Sequence, residues 1–224
     1  MIQRKRIVNP THESEIWGAT IVLFELAHNF SSLKPDAIVV MEGMGEEWRL
    51  TQAIHDYDAQ DSGARYLLIG GQSHKEKTWK KRDIENLQKD FGLRRTDGVY
   101  INPSTQNTRI QGEWVADMIS VLKPHTISVY VTSYHLIRAY LTILQSLIER
   151  DETFPMFPVP VRVSPFKQIP ELLSVSGCTG PNAFDMVAGE LSRIKNYRKV
   201  KHVASAKELQ KYLLWLERWC VAQK

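Results

Sequence analysis

The stretch Ile127-Ser128-Val129-Tyr130-Val131-Thr132-Ser133-Tyr134-His135-Leu136-Ile137-Arg138-Ala139 decides the reading of the fold. Ile127 to Val131 is an apolar, β-branched run of strand length, and Thr132 and Ser133 end it. Leu136 to Leu147 then runs on as an amphipathic helix. Ser133 stands where an N-cap is expected, because a hydroxyl there can accept a hydrogen bond from a free backbone N–H of the first turn. His135 and Arg138 are three apart and share a face near the helix start, where unpaired N–H groups and the helix dipole favour negative charge. A strand end, two hydroxyls, an imidazole and a guanidinium therefore converge on one spot suited to an anionic or carboxylate-bearing ligand. A capped helix with a solvated His and Arg is the plainer alternative on this stretch alone.

Outward from this unit, the same phrase repeats. Ala37 to Met41 is a continuous apolar run, followed by Glu42-Gly43-Met44-Gly45 and a helix over about 46–59. Arg65 to Ile69 is a second run, ended by Gly70-Gly71 and followed by a charged helix over about 75–91. Val99 to Ile101 is a third, with a loop over 102–106 and a helix over 107–121. Pro158 to Val163 is a fifth strand that its prolines confine to an edge or to strand ends. Before these, residues 1–12 read as a loose arm and Glu13 to Phe30 as a helix with an apolar stripe of Ile16, Trp17, Thr20, Leu23, Phe24 and Ala27. After them, 164–182 is rich in Pro, Ser and Gly and should wrap the surface. Two helices close the chain, Ala183–Tyr197 and Ser205–Val221. The latter's face of Leu209, Tyr212, Leu213, Leu216, Trp219 and Cys220 should pack on the sheet, a homodimer interface being the alternative.

Strands alternating with helices predict a single α/β domain, a Rossmann-like three-layer α/β/α sandwich. Its mostly parallel sheet should have about five strands, with a C-terminal helical extension over about 182–221. In such sheets ligands bind outside the carboxyl ends of the strands. The ends here are Glu42–Gly45, Gly70–Ser73, Asn102–Thr108 and Thr132–Arg138, the polar and glycine-bearing stretches of the chain.

Bulk properties narrow the partners. The chain has 224 residues, 43% hydrophobic and 24% charged, with a net charge of +4. Its basic residues are scattered apart from short clusters at 3–6, 75–82 and 193–202, so no nucleic-acid footprint is expected. No window resembles a membrane span. The basic N-terminus lacks the apolar core of a signal peptide. Cys178 and Cys220, the two cysteines, have no pairing or zinc spacing, which predicts a reducing, cytoplasmic setting. A reactive Cys178 thiol is a minor alternative.

Motif by motif, the chemistry is constrained mainly by what is missing. Gly43 and Gly45 begin a dinucleotide fingerprint, but the third glycine position is Trp48, which speaks against NAD. Glu42 can orient a ligand hydroxyl or act as a base, or be an exposed turn acid. Arg49 lies early in its helix, where a cation opposes the dipole and calls for an anionic partner. Ser104, Asn107 and Thr108 make the third strand-end loop dense in hydrogen-bonding groups, although Asn107 also fits a plain N-cap. Ser133 and His135 do not face each other as a nucleophile and base should. No HExxH, CxxC or P-loop pattern occurs, so no metal and no Walker-type nucleotide site is predicted.

Taken in order, these phrases resemble the ElyC/SanA/YdcF family. The resemblance rests on Asp36 to Gly43, Arg49 with Ala53, Leu68 to Gly71, Ser104 with Asn107-Thr108, and above all Thr132 to Ala139, over about residues 36–163. The chain departs from the pattern twice. The usual Leu-Gly-Gly turn reads Met41-Glu42-Gly43, and Gln111 stands where an Asn is usual. The resemblance implies a Rossmann-like domain with its pocket at the strand-end loops. It also implies, for members without a membrane anchor, binding of S-adenosylmethionine. On that reading Arg49, Arg138 and the helix start at Ser133 hold the anionic part of a nucleotide-like molecule. Gly43, Gly70, Gly71, Ser104, Asn107, Thr108 and Thr132 complete the pocket, Glu42 contacts a ribose hydroxyl, and His135 serves any acid–base step. The alternatives are a hydrolase or transferase acting on a phosphorylated or glycan-linked metabolite of the cell envelope, and a non-catalytic interaction protein.

Overall fold

The structure is a computed structural model that describes residues 12–30, 32–43, 45–71, 82–169 and 182–223. Residues 1–11 of the arm expected over 1–12, Cys178 and most of the Pro/Ser/Gly-rich stretch lie outside the described residues, and His12 belongs to the first helix.

Five strands form one all-parallel sheet: β1 (Ala37–Met41), β2 (Tyr66–Gly70), β3 (Val99–Asn102), β4 (Ile127–Thr132) and β5 (Met156–Val161), in the order β3-β2-β1-β4-β5. Continuous apolar runs suit the inner strands because both faces are covered. In β1, Ala37, Val39 and Met41 point into one core layer, and Ile38 and Val40 point into the other. This is the two-residue alternation of a strand applied to a doubly covered sheet. β5 is an edge strand, as its prolines require.

The covering helices are α1 (His12–Asn29), α2 (Glu47–Asp58), α3 (Ile84–Phe91), α4 (Thr108–Leu122), α5 (Leu136–Ile148), α6 (Met186–Lys199) and α7 (Ala206–Ala222). α2 and α3 cover one face, through Leu50, Ile54, Tyr57 and Leu87. The opposite face packs against α1, α4, α5 and α7, with Ile194 of α6 joining the same layer. The C-terminal extension is part of this core. Leu209, Tyr212 and Leu216 of α7 are buried, and the Tyr212 hydroxyl accepts from Met156 N at 2.9 Å and donates to Phe154 O at 2.9 Å, at the start of β5. Ser205 and Glu208 form a capping box at the start of α7. Among the described residues no helix is long and apolar enough to cross a membrane.

Several local expectations are corrected. Of the charged helix expected over about 75–91, residues 75–81 lie outside the described residues; the described helix starts at Ile84, where Asp83 caps it by accepting from Asn86 N at 2.9 Å. The buried side of α1 runs through Ile16, Ala19 and Leu23, while Trp17 and Phe24 are exposed. Ser133 is not the cap of α5. A single 3-10 turn, Ser133–His135, separates the helix from β4, and the Ser133 hydroxyl donates instead to Val161 O at 3.4 Å. α5 is also buried from Leu136 through Leu147 rather than amphipathic, being packed between the sheet, α4 and α6.

Gly112 sets the distance between α4 and α5. A Cβ there would stand 2.9 Å from Thr142 Cγ2 and 3.2 Å from Ser146 Oγ. Gly112→Leu should therefore cost about 3 kcal/mol by overpacking, seen as a lowered midpoint in urea denaturation. An unchanged midpoint would contradict the close approach of these helices.

Candidate functional site

β1 lies at the middle of the sheet. The chain leaves it towards β2 and β3 on one side, then returns to place β4 on the other. The topological switch point is thus between β1 and β4, flanked by the loops after β1 and after β4. Every sequence-predicted site residue lies at or beyond the carboxyl end of a strand, and three polar networks organise them.

The first network ties the two flanking loops together. Glu46 is buried just before α2, and its carboxylate receives Arg49, the Tyr134 hydroxyl and the Thr132 hydroxyl, the last at 2.7 Å. Thr132 Oγ1 in turn accepts from Arg49 Nε at 2.8 Å and from Trp48 Nε1 at 3.0 Å, and Arg49 Nη1 reaches Met41 O at 2.7 Å. One donation and two acceptances use the full capacity of the Thr132 hydroxyl. Burial works against the Arg49 charge, but the Glu46 carboxylate holds its pKa above the ordinary value. Burial and the Glu46 charge raise the Tyr134 hydroxyl well above its usual range, so it remains a donor.

The second network joins α4, α5 and α6. Arg138 grips Glu190 with Nε and Nη2, reaches the Thr108 hydroxyl with Nη1, and donates from Nη2 to His135 Nδ1 at 2.8 Å. Arg193 adds a bond to Glu190 at 2.7 Å. Burial would raise the Glu190 pKa, yet Arg138 and His135 hold it well below the carboxylate range. Burial, reinforced by the Arg138 charge, lowers His135 from 6.5 to about 3. His135 is therefore a neutral, buried ring at pH 7 and not the near-neutral acid–base group its residue type suggests.

The third network stands at the ends of β1 and β2. The Glu42 carboxylate pairs with Arg82, whose Nη2 is 3.1 Å from Glu42 Oε1. Its backbone is fixed on two sides: Glu42 N donates to Gly70 O at 2.8 Å, and Glu42 O accepts from Gln111 Nε2 at 3.0 Å. Gly71 permits this crossing. It has φ +110°, and a Cβ would stand 2.0 Å from Gln111 Nε2 and 2.5 Å from Glu42 O. Gly70 is likewise pressed against Trp114, at 2.9 Å from an added Cβ. Burial raises the Glu42 pKa from 4.5 to about 7, against the opposing charges of Arg82 and Arg49.

The remaining candidates are less committed. Asn107 caps α4, accepting from Ile110 N at 3.0 Å, and is exposed. Ser104 is exposed, with its N–H donated to Asn102 Oδ1. The Gly43 carbonyl accepts from Glu46 N at 3.1 Å in the loop over the switch point. Beside the loop after β4, an apolar cavity of about 370 Å³ runs between Trp17, Phe24, Ile137, Phe184 and Val187, and is bordered by Ser133 and Tyr134.

The structure brings the loops named from sequence to one edge of the sheet, and its networks add Glu46, Arg82, Gln111 as a bonding partner, and Glu190, which sequence reading missed. Arg82 ends a basic cluster, and Gln111 marks a departure from the family pattern, so both carried a signal. Glu190 sits in an ordinary mixed helix and carried none. Neither the family models nor the curated proteins compared with this chain match it.

Two outcomes follow from these networks. Arg138→Met leaves Glu190 buried without its main counter-charge and should cost about 3 kcal/mol in denaturant, whatever its effect on ligands. Retention of full stability would contradict the ion pair. Glu42 binds its proton more tightly folded than unfolded, so its contribution declines as pH rises from 4.5 through about 7. The stability of the wild type relative to Glu42→Gln should therefore fall by about 3 kcal/mol between pH 4.5 and 8. A difference that is flat with pH would exclude the raised pKa.

Proposed function

We propose that this chain is a Rossmann-like protein akin to the ElyC/SanA/YdcF family that binds S-adenosylmethionine at the switch point between β1 and β4. One observation carries the reading: each buried arginine of the site already faces a carboxylate. Arg49 faces Glu46, Arg138 faces Glu190 and Arg82 faces Glu42. Walls balanced in this way suit a ligand that carries its own compensating charges. S-adenosylmethionine is such a ligand, with a carboxylate, an ammonium and a sulfonium. A polyphosphate nucleotide would need cations left unmatched by the protein.

On this reading Arg49, Thr132, Thr108 and Arg138 position the loops, because their polar groups are engaged within the chain. Contacts to ligand fall to the Gly43 loop, Ser133, Glu42 and Arg82. Acid–base work passes from His135 to Glu42, whose pKa of about 7 matches neutral pH. The same carboxylate supports a second reading, a hydrolase or transferase using Glu42 as its proton acceptor. A cytoplasmic location accords with two cysteines that have no pairing pattern.

Calorimetric titration with S-adenosylmethionine, ATP and NAD should give saturable heat for the first only. Hydrogen exchange should show the new protection centred on residues 42–49, 132–138 and the backbone around Arg82. Absence of heat with S-adenosylmethionine, from protein shown by native mass spectrometry to be unloaded, would overturn the proposal.

A further inference from the structure

Arg82 differs from the other arginines of the site. Its guanidinium is turned to Glu42 through Nε, at 3.1 and 3.4 Å from the two carboxylate oxygens, and through Nη2, at 3.1 Å from Oε1. Nη2 also lies 3.6 Å from Glu47, and the Phe91 ring lies 5.0 Å from the guanidinium carbon. The side chain is 6% exposed, and Nη1 is buried with no hydrogen-bond partner among the described residues. A buried N–H without an acceptor is unfavourable and marks a place where a ligand atom is expected. Arg49 and Arg138 offer no equivalent, since Glu46 and Glu190 occupy them.

We propose that Arg82 and Glu42 form a proton-linked oxyanion site, in which Arg82 Nη1 donates to one oxygen of a ligand carboxylate or phosphate and Glu42 takes up a proton as the anion arrives. The charged groups acting on Glu42 are Arg82 beside α3 and Arg49 and Glu47 on α2. Arg49 is committed to Glu46, and Glu47 adds negative charge. An entering oxyanion therefore sets two buried anions against the single charge of Arg82. Protonating Glu42 removes the excess, and its backbone is held in place by the bond to Gly70 O and the bond from the Gln111 side chain. Burial has already brought that protonation close to neutral pH. The inference deepens the proposed function, where the amino-acid carboxylate of S-adenosylmethionine would be the anion. It depends on that reading for the identity of the ligand only.

The test uses sodium sulfate and sodium acetate against sodium chloride at equal ionic strength, with the Glu42 side-chain carbon followed by NMR from pH 5.5 to 9. Saturating anion should raise the Glu42 midpoint by about one unit or more, and anion affinity should fall about tenfold per pH unit above the midpoint. Glu42→Gln should bind the anion with pH-independent affinity, and Arg82→Gln should lose it. A response to acetate alone assigns a ligand carboxylate, and to sulfate alone a phosphate. The same Glu42 midpoint in all three salts overturns the proposal, as does undiminished anion affinity in Arg82→Gln. The wild-type titration decides by itself if that variant does not fold. S-adenosylmethionine that fails to bind while either anion shifts Glu42 would retire the ligand reading and leave this site standing.

Discussion

The carboxyl edge of the sheet depends on matching buried arginine charge with buried carboxylate. Arg49 on Glu46, with Thr132 and Tyr134 closing the set, fastens the loop after β1 to the loop after β4. These are the loops that diverge at the switch point, so the bond set fixes one against the other. A buried ion pair of this kind adds little net stability over an apolar pair, but removing one partner strands the other. The relative position of the two loops is specified by that penalty more than by any gain.

The second pair extends the same logic to the helices. Arg138 lies on the central, buried α5, Glu190 on α6 and Thr108 at the first turn of α4. α6 is thereby fixed to α4 and to the loop after β4 through one guanidinium, whose planar fork serves several acceptors at once. This explains why an arginine beside a helix start need not be an anion receptor. A cation near that end is unfavourable by itself. The chain met this cost with its own glutamate, from more than fifty residues away.

Much of the fold was legible because the strands are short apolar runs bounded by turn residues, and β1 falls where the pattern put it. Helix ends were legible where a local cap exists, as at Asn107 and Ser205. The failures share a cause. The face of α1 was misjudged because Trp17 and Phe24 are apolar but flank a cavity at the surface, and periodicity cannot separate that from core. Ser133 was misjudged because a 3-10 turn moved the helix start beyond it. In the candidate site, the loops followed from sequence, whereas the partners of Arg49 and Arg138 did not. One partner is three residues away and the other fifty-two, and nothing in residue type marks either glutamate as buried.

Burial acts with opposite sign on the two groups that sequence marked for acid–base chemistry. Loss of solvation disfavours the charged form of each. It therefore lowers the pKa of an imidazole and raises that of a carboxyl. His135, buried against the fixed charge of Arg138, falls to about 3 and stays neutral through the physiological range. Glu42, buried beside Arg82 but short of full compensation, rises to about 7. The residue whose free value lies near neutrality is moved away from it, and the residue whose free value lies far away is moved onto it. Proton chemistry at this site is thus assigned by environment. On the proposed reading it belongs to the carboxylate at the end of β1, whose backbone is held on two sides and which faces a guanidinium with a hydrogen-bond donor to spare.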